Sequence, residues 1–275
     1  MMCLFLLHCF VLFLIFFKSS LSFTINKFYI DSKDLSRMNQ LIIDKSMITK
    51  DFDEIHSKPD DLIFLTGASN IMPDYIYSNF IDKLKLNNFN IISPREWDAK
   101  NKGFELIGLL NNVKPLSIIG HSSCIKLIVG LCNKYSNIKN VILLDPVDNR
   151  FSINSIYRNL FRKFNPIKLE NVKNILIIKA EKSFKFSLRP LNIPFIPIFG
   201  FDENNFKSNK MLRIDTITIK DFGHADILDK DWSDFMHNNK ICIGNKDRNN
   251  TNLNLYHTLM SNIIYKFIRF NEFTL

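Results

Sequence analysis

The stretch from Pro115 to Cys124 constrains the fold of this chain most strongly. Its apolar residues end in Gly-His-Ser, and a second apolar run with helical spacing, Ile125–Leu131, follows at once. A strand that turns sharply into a helix at such a triplet is typical of a nucleophile elbow, which lifts a serine oxygen clear of a sheet. A serine hydroxyl is a weak nucleophile without a base and an anion-stabilising pocket. The rest of the chain is therefore expected to supply a histidine, a carboxylate and backbone donors around Ser122.

Short apolar runs alternate with stretches of helical periodicity along the chain. Continuous apolar runs of this kind are typical of strands that are buried on both faces of a parallel sheet. The predicted strands are Leu62–Leu65, Phe89–Pro94, Leu116–Ile119, Val141–Leu144, Ile175–Ile178 and Thr216–Ile219. The predicted helices are Tyr75–Leu86, Ile125–Lys134 and Leu255–Phe270, with the end of another at Glu105–Leu110 and a loop at Thr66–Asn70. This alternation predicts an α/β domain with a mostly parallel sheet and helices on both faces.

Two long stretches, Asn149–Lys173 and Ser183–Met211, interrupt the alternation. Both contain proline and many apolar or aromatic residues. Insertions after the carboxyl edge of a sheet would cover a site there, and apolar ones favour a hydrophobic pocket or lid. Ordinary packed loops are the alternative interpretation.

The net charge of +9 comes from lysines scattered among asparagine, isoleucine and phenylalanine, without a long basic block. This pattern argues against nucleic-acid binding and is compatible with weak peripheral association with an anionic membrane. Cys124 and Cys132 would lie about 12 Å apart on one helix, too far for a disulfide, so buried thiols are expected. The histidines and carboxylates show no zinc-ligand spacing, and neither a metal nor another cofactor is predicted.

Residues 1–22 form a predicted targeting segment. The apolar run Cys3–Phe17 is shorter than the ~20 residues of a membrane span, and Ser20 and Ser22 suit cleavage before Phe23. A signal peptide is predicted, with a signal anchor as the alternative. Residues 23–58 hold either a transit-like presequence or an edge strand, and residues 59–275 form the main domain. We expect entry into the secretory pathway and onward transport to a plastid, with an extracellular or endomembrane location as the alternative.

Three residues suited to serine catalysis follow predicted strands. Ser122 follows one strand, Asp145 directly follows Val141–Leu144, and His224 lies in a glycine-flanked loop after Thr216–Ile219. The chain order serine, acid, histidine is that of the α/β-hydrolase fold, which we predict for this chain. In such a site Ser122 would attack an ester carbonyl, His224 would carry its proton, and Asp145 would orient the imidazole.

The acid and the oxyanion donors have alternatives. Glu181 follows the next strand and is the alternative acid, while the carboxylate of Asp145 could instead cap a helix. We favour Asp145. The oxyanion is expected to meet the backbone N–H of Ser123 and a second N–H from Ala68 or Ser69, which follow the first predicted strand.

The strand-end motifs resemble those of the chlorophyllases, serine esterases that cleave the phytyl ester of chlorophyll. That family typically has Gly-His-Ser-Arg-Gly-Gly, Asp-Pro-Val and Asp-Tyr-Gly-His-Met-Asp at these places. The segments that carry the resemblance are Gly120-His121-Ser122, Leu144-Asp145-Pro146-Val147 and Lys220–Asp229, within a similarity that runs from Leu62 to Phe270. The resemblance implies that Asp145 is the triad acid and that the substrate is chlorophyll, which yields chlorophyllide and phytol.

The sequence departs from the family pattern at two places. Ser123-Cys124 replaces the Arg-Gly that follows the nucleophile, and Thr66 replaces the His beside the oxyanion loop. Glycine after the elbow usually lets helix and strand pack closely, so Cys124 is expected to fit with some shift. The alternative functions are a general lipid or carboxylic-ester hydrolase of the same fold and a non-catalytic protein that binds pigment or lipid.

Overall fold

A computed structural model describes residues 25–31, 59–94, 108–112, 114–147, 167–184, 206–207, 212–239, 241–246 and 249–270. The predicted targeting segment and most of the two stretches that interrupt the alternation lie outside these residues. The end of a helix predicted at Glu105–Leu110 is described for residues 108–110, which are helical.

The described residues form a parallel sheet with helices packed against it. The strands are β1 (Ile25–Ile30), β2 (Asp60–Leu65), β3 (Phe89–Ile92), β4 (Leu116–His121), β5 (Ile138–Leu144), β6 (Ile167–Lys168), β7 (Asn174–Ala180), β8 (Phe206–Lys207) and β9 (Arg213–Ile219). The α-helices are α1 (Gly67–Asn70), α2 (Ser78–Leu86), α3 (Ile125–Lys134), α4 (Lys230–Asn238) and α5 (Asn250–Phe270). Seven strands make the main sheet in the order β1-β9-β7-β5-β4-β2-β3, all parallel, and β6 pairs with β8 separately.

Side chains alternate between the two faces of the sheet and fill two hydrophobic cores. On one face, residues such as Phe64 and Ile119 cluster with α2 and α5. On the other face, residues such as Leu65 and Ile118 cluster with α3. β4 is buried at every position, which explains why a continuous apolar run marks it in the sequence. With both faces covered by helices, the carboxyl ends of the strands are where polar groups can meet a substrate.

Two predicted segments differ in local conformation. The predicted loop Thr66–Asn70 contains the one-turn helix α1, and the helix predicted from Tyr75 begins with a 3₁₀ turn, Asp74–Tyr77, before α2. Both differences lie in the connection between β2 and α2. In the first, the direction of the backbone is set by single residues in left-handed conformations. Ala68 and Asn70 have positive φ values of 52° and 70°, which hydrophobic periodicity does not report.

Helix α4 is absent from the sequence prediction. Its buried residues are the polar Ser233 and His237. Its aromatic residues Trp232 and Phe235 are exposed, with their ring centroids 6.0 Å apart. The helix is only nine residues long and its fully buried positions are polar, so a search for buried apolar residues at helical spacing overlooks it.

The two ends of the described chain close the fold. β1 is an edge strand, paired with β9 from Ile25 opposite Ile214 to Ile30 opposite Ile219, in the stretch where an edge strand or a presequence was expected. Helix α5 begins at Asn250, ahead of the predicted Leu255, because the Asn252 amide donates to the Asn249 side chain at 2.7 Å and caps the first turn. Among the described helices, none combines the length and apolarity needed to cross a bilayer.

Candidate active site

Ser122 lies at the sharp turn between β4 and α3. Its backbone has a φ of 60°, and a 3₁₀ turn, Ser122–Cys124, leads directly into the helix. The Val147 amide donates to the Ser122 carbonyl at 2.9 Å and ties the turn to the end of β5. A Cβ atom at Gly120 would lie 3.0 Å from that of Cys124 and would overlap the side chain of Ile128. Glycine before the serine therefore lets α3 start close to β4, as a nucleophile elbow requires.

Ser122, His224 and Asp145 form a continuous chain of hydrogen bonds. His224 Nε2 lies 2.9 Å from Ser122 Oγ, and His224 Nδ1 lies 2.5 Å from Asp145 Oδ2. Because an ionised carboxylate can only accept, Nδ1 carries the hydrogen and Nε2 offers its lone pair to the serine hydroxyl. His224 is buried, so solvent competes little for these bonds. This is the arrangement in which a histidine can remove the serine proton.

The backbone holds the Asp145 carboxylate in place. The Ala180 amide donates to Oδ1 at 3.2 Å, while the Asp145 amide donates to the Ile178 carbonyl at 2.6 Å. Asp145 has a φ of 43°, so a left-handed residue turns the chain immediately after β5. Glu181, the alternative acid, is exposed and instead accepts from the Asp221 amide at 3.0 Å. The structure thus brings Asp145 to His224, and it engages Glu181 elsewhere.

The three residues lie beyond the carboxyl ends of three parallel strands, of which β4 and β5 are neighbours and β9 is separated from β5 by β7. Ser122 follows β4, Asp145 follows β5, and His224 lies in the loop after β9. An elbow serine in this order on a parallel sheet covered by helices is characteristic of one fold. The chain has an α/β-hydrolase fold.

The predicted oxyanion segment is the turn α1, which packs against the Ser122–Cys124 turn. The Gly67 amide donates to the Tyr77 hydroxyl at 2.9 Å, and the Asn70 amide donates to the Thr66 carbonyl at 2.9 Å. The turn also contains Ala68 and Ser69, whose amides are the oxyanion donors predicted from the sequence.

The two departures from the chlorophyllase pattern touch each other. Cys124 is fully buried, and its thiol donates to the Thr66 carbonyl, with 2.7 Å between sulfur and oxygen. The Thr66 hydroxyl donates to the Met72 carbonyl at 2.5 Å and closes the turn from the other side. Cys124 therefore occupies the space beside the elbow and joins it to the oxyanion segment.

The loop that carries His224 is anchored by the buried carboxylate of Asp226. Oδ2 accepts from the Gly223 amide at 2.8 Å and from the Asn245 amide at 2.9 Å. Oδ1 lies 3.1 Å from Ser233 Oγ and 2.8 Å from His237 Nε2. No role is predicted for this aspartate from the sequence, although it is part of the motif around His224.

Two histidines outside the predicted site complete this network. The partners of His237 are the Asp226 carboxylate and the Cys242 carbonyl, at 2.8 Å and 3.0 Å. A carbonyl oxygen can only accept, so Nδ1 donates to Cys242, while Nε2 faces the Asp226 carboxylate. His257 Nε2 donates to the Asp226 carbonyl at 3.0 Å, and burial lowers the pKa of His257 to about 4. His257 is therefore a neutral structural residue.

Three cysteine thiols are buried, one at the elbow, one on α3 and one just after α4. Cys124, Cys132 and Cys242 are all buried, and burial raises the pKa of Cys132 and of Cys242 to about 12. Neither of these two thiols is a ready nucleophile at neutral pH. Within the described ranges, no cluster of three or more histidine, cysteine, aspartate or glutamate side chains is arranged to hold a metal ion.

Comparisons with known proteins give only distant similarities. No family model matches the chain, and no curated protein matches it. A YdeN-like hydrolase structure from Pectobacterium atrosepticum is 15% identical, covering 80% of this chain and 98% of that one with a TM-score of 0.41. An esterase domain from Rhodothermus marinus is 7% identical, covering 77% and 89%, with a TM-score of 0.42. Likenesses at this level carry no weight, and the fold assignment stands on the sheet and its strand-end residues.

Proposed function

We propose that this protein is a serine carboxylesterase in which Ser122 is the nucleophile, His224 the general base and acid, and Asp145 the orienting carboxylate. The observation that carries the proposal is the hydrogen-bonded chain from Asp145 through His224 to Ser122 at the carboxyl edge of the sheet. A left-handed serine at the elbow and a left-handed aspartate after the neighbouring strand are both strained positions, and strain of this kind is concentrated at functional sites.

In the acylation half-reaction, Ser122 Oγ adds to the ester carbonyl carbon and its proton passes to His224 Nε2. Asp145 stabilises the imidazolium through the Nδ1–H bond. The carbonyl oxygen becomes an oxyanion that accepts from the Ser123 amide and from that of Ala68 or Ser69. The imidazolium then gives its proton to the leaving alcohol oxygen as the ester bond breaks, and an acyl-Ser122 ester remains.

Water completes the cycle by the same steps. It adds to the acyl carbon as His224 Nε2 takes one of its protons, and the oxyanion again meets the backbone donors. Collapse of this intermediate releases the carboxylic acid as the proton returns to Ser122 Oγ. The cycle balances without a cofactor.

For the substrate, we propose an ester with a long hydrophobic alcohol, specifically the phytyl ester of chlorophyll. The support is the resemblance of the three strand-end motifs to those of the chlorophyllases. His224 stands in the most specific of these, and Asp145 stands where that family has its triad acid. The products would be chlorophyllide and phytol. We further propose peripheral association with membranes, where such a substrate resides, and delivery through the secretory pathway to a plastid.

The test is incubation of the purified protein with chlorophyll in detergent micelles, followed by chromatography of chlorophyllide. Ser122→Ala is the matched control, since it removes one oxygen. Conversion by the wild type alone supports the proposal. Hydrolysis of p-nitrophenyl esters without chlorophyll turnover would redirect it to a general lipid or carboxylic-ester hydrolase. A protein that neither cleaves esters nor reacts with a fluorophosphonate at Ser122 would be a non-catalytic binder of pigment or lipid.

A further inference from the structure

Tyr77 is a fully buried side chain next to the predicted oxyanion segment. Its hydroxyl accepts from the Gly67 amide at 2.9 Å and lies 2.8 Å from His121 Nδ1. The ring is fixed by an edge-on contact with Phe64, with centroids 5.3 Å apart. Burial raises the pKa of Tyr77, so the hydroxyl keeps its proton. A single hydroxyl therefore connects the α1 turn to the residue that precedes Ser122.

His121 carries this connection to the proposed base. Its ring stacks on that of His224, with centroids 4.6 Å apart and an interplanar angle of 29°. Burial, and then the nearby charge that His224 can carry, lower the pKa of His121 well below its usual value. The Tyr77 hydroxyl thus accepts from the Gly67 amide and contacts the imidazole of a neutral His121, with Met72 Sδ at 3.9 Å as a second acceptor for its proton.

The α1 turn depends on such external support. Ala68 and Asn70 hold left-handed backbone conformations that favour glycine, and such strain persists only where surrounding contacts impose it. One contact is the Asn70 side chain, which accepts from the Thr66 amide at 3.0 Å and donates to the Pro94 carbonyl at 2.5 Å. A second is Tyr77, which bonds the Gly67 amide at the start of the turn.

The Tyr77 hydroxyl occupies the space that a side chain at Gly67 would need. A Cβ atom at Gly67 would lie 2.9 Å from the Tyr77 hydroxyl and 3.1 Å from His121 Nδ1. The missing side chain lets the hydroxyl reach the Gly67 amide directly. The close approach thus explains why glycine stands there, and it gives the contact a second residue through which it can be tested.

We propose that Tyr77 is a positioning residue, which holds the amides of Ala68 and Ser69 in the place where the oxyanion of the substrate forms. This rests on the esterase function proposed above and adds a residue that the sequence motifs do not include. Deleting one oxyanion donor outright costs about 10²–10³-fold in kcat. Loss of the Tyr77 hydroxyl would displace the donors without deleting them, so we expect a smaller loss of about tenfold to a hundredfold.

The experiment compares Tyr77→Phe with the wild type on p-nitrophenyl butyrate. We expect kcat to fall at least about tenfold while KM changes less than about twofold, because the donors act on the transition state. Ser122 Oγ adds to the carbonyl carbon of a trifluoromethyl ketone inhibitor, and the serine proton passes to His224. The resulting oxyanion accepts hydrogen bonds from the same backbone donors. The Ki of this inhibitor should rise by the factor by which kcat/KM falls. Tyr265→Phe, a matched change on α5, should stay within about twofold of wild type.

Gly67→Ala probes the contact independently, should Tyr77→Phe fold poorly. The added methyl group would push the hydroxyl from the amide and should lower kcat similarly. In the Tyr77→Phe background the methyl group no longer meets the hydroxyl, and its other close neighbours, His121 Nδ1 and Met72 Sδ at 3.1 Å, need to move by only a few tenths of an ångström. The combined loss should therefore be smaller than the sum of the two single losses.

Wild-type kcat and Ki in either single variant would overturn the proposal, even with a lower melting temperature, and would leave Tyr77 a packing residue. A wild-type protein that neither cleaves p-nitrophenyl butyrate nor reacts with a fluorophosphonate would refute the esterase function itself, and this role with it.

Discussion

Replacing Asp226 with alanine should destabilise the protein severely. The carboxylate is fully buried and accepts from the Gly223 and Asn245 amides, the Ser233 hydroxyl and His237 Nε2. Each buried donor left without a partner costs about 1–3 kcal/mol. Because water can enter the vacated space and bond some of these four donors, the costs do not simply add, and we expect a loss of about 4–6 kcal/mol.

The assay is urea denaturation followed by circular dichroism, together with thermal melting. A loss of this size is a large part of the ~5–15 kcal/mol that stabilises a typical domain. At about 2–4 °C per kcal/mol, it corresponds to a drop of about 10–20 °C in Tm.

Two variants serve as controls for Asp226→Ala. Asp226→Asn keeps the size and one acceptor oxygen, and should lose about half as much stability. Asp82→Ala removes the exposed partner of Lys85 and should change stability by less than about 1 kcal/mol. If Asp226→Ala were no more destabilising than Asp82→Ala, the network would not be what holds the His224 loop.

Three further predictions follow from the site and its surroundings. Asp145→Asn should lower kcat on p-nitrophenyl butyrate by about 10³–10⁴-fold, whereas Glu181→Gln should stay within a few-fold, and equal effects would leave the acid unassigned. Ser122→Ala should abolish labelling by a fluorophosphonate with an unchanged circular dichroism spectrum. Burial lowers the pKa of His257 to about 4, so below pH 6.5 the unfolded chain binds more protons than the folded protein does. The free energy of unfolding therefore decreases as the pH is lowered from 6.5 to 4. His257 should therefore contribute a loss of about 3 kcal/mol between pH 6.5 and 4 in urea titrations, and His257→Gln should show a shallower decline.

The central strands could be predicted from the sequence because burial on both faces requires continuous apolar runs. β3 and β4 begin at the predicted Phe89 and Leu116, but the start of β5 could not be predicted, because its apolar run begins at Val141 and the strand begins at Ile138. The intervening polar residues pair across the sheet instead. Asn140 Nδ2 donates to Ser117 Oγ at 3.1 Å, and Asn174 Nδ2 donates to Asn140 Oδ1 at 2.9 Å. Hydrophobic periodicity does not detect strand residues that are paired through polar side chains.

The contacts among Ser122, Asp145 and His224 were accessible to sequence reasoning because parallel strands bring their carboxyl ends to one edge. Strand order alone juxtaposes such residues. Their catalytic roles stay predictions until the variants are measured. No comparable rule predicts the position of the residues that support the site. Tyr77 lies at a 3₁₀ turn and His237 on a polar helix, and each reaches the site only after the chain has folded back.

The supporting contacts explain how the three residues can be aligned before any substrate binds. Ser122 is fixed by the Val147 amide just after β5. The His224 loop is fixed through Asp226, which accepts from Ser233 on α4 and from the Asn245 amide in the segment after that helix. Neither contact involves a side chain of the hydrogen-bonded series Asp145, His224 and Ser122. Donors and acceptors that are held by their own surroundings need no rearrangement as charge develops, which is the condition for strong electrostatic stabilisation of a transition state. The departure at Cys124 serves the same end, because its thiol joins the elbow to Thr66 where a glycine would leave a gap.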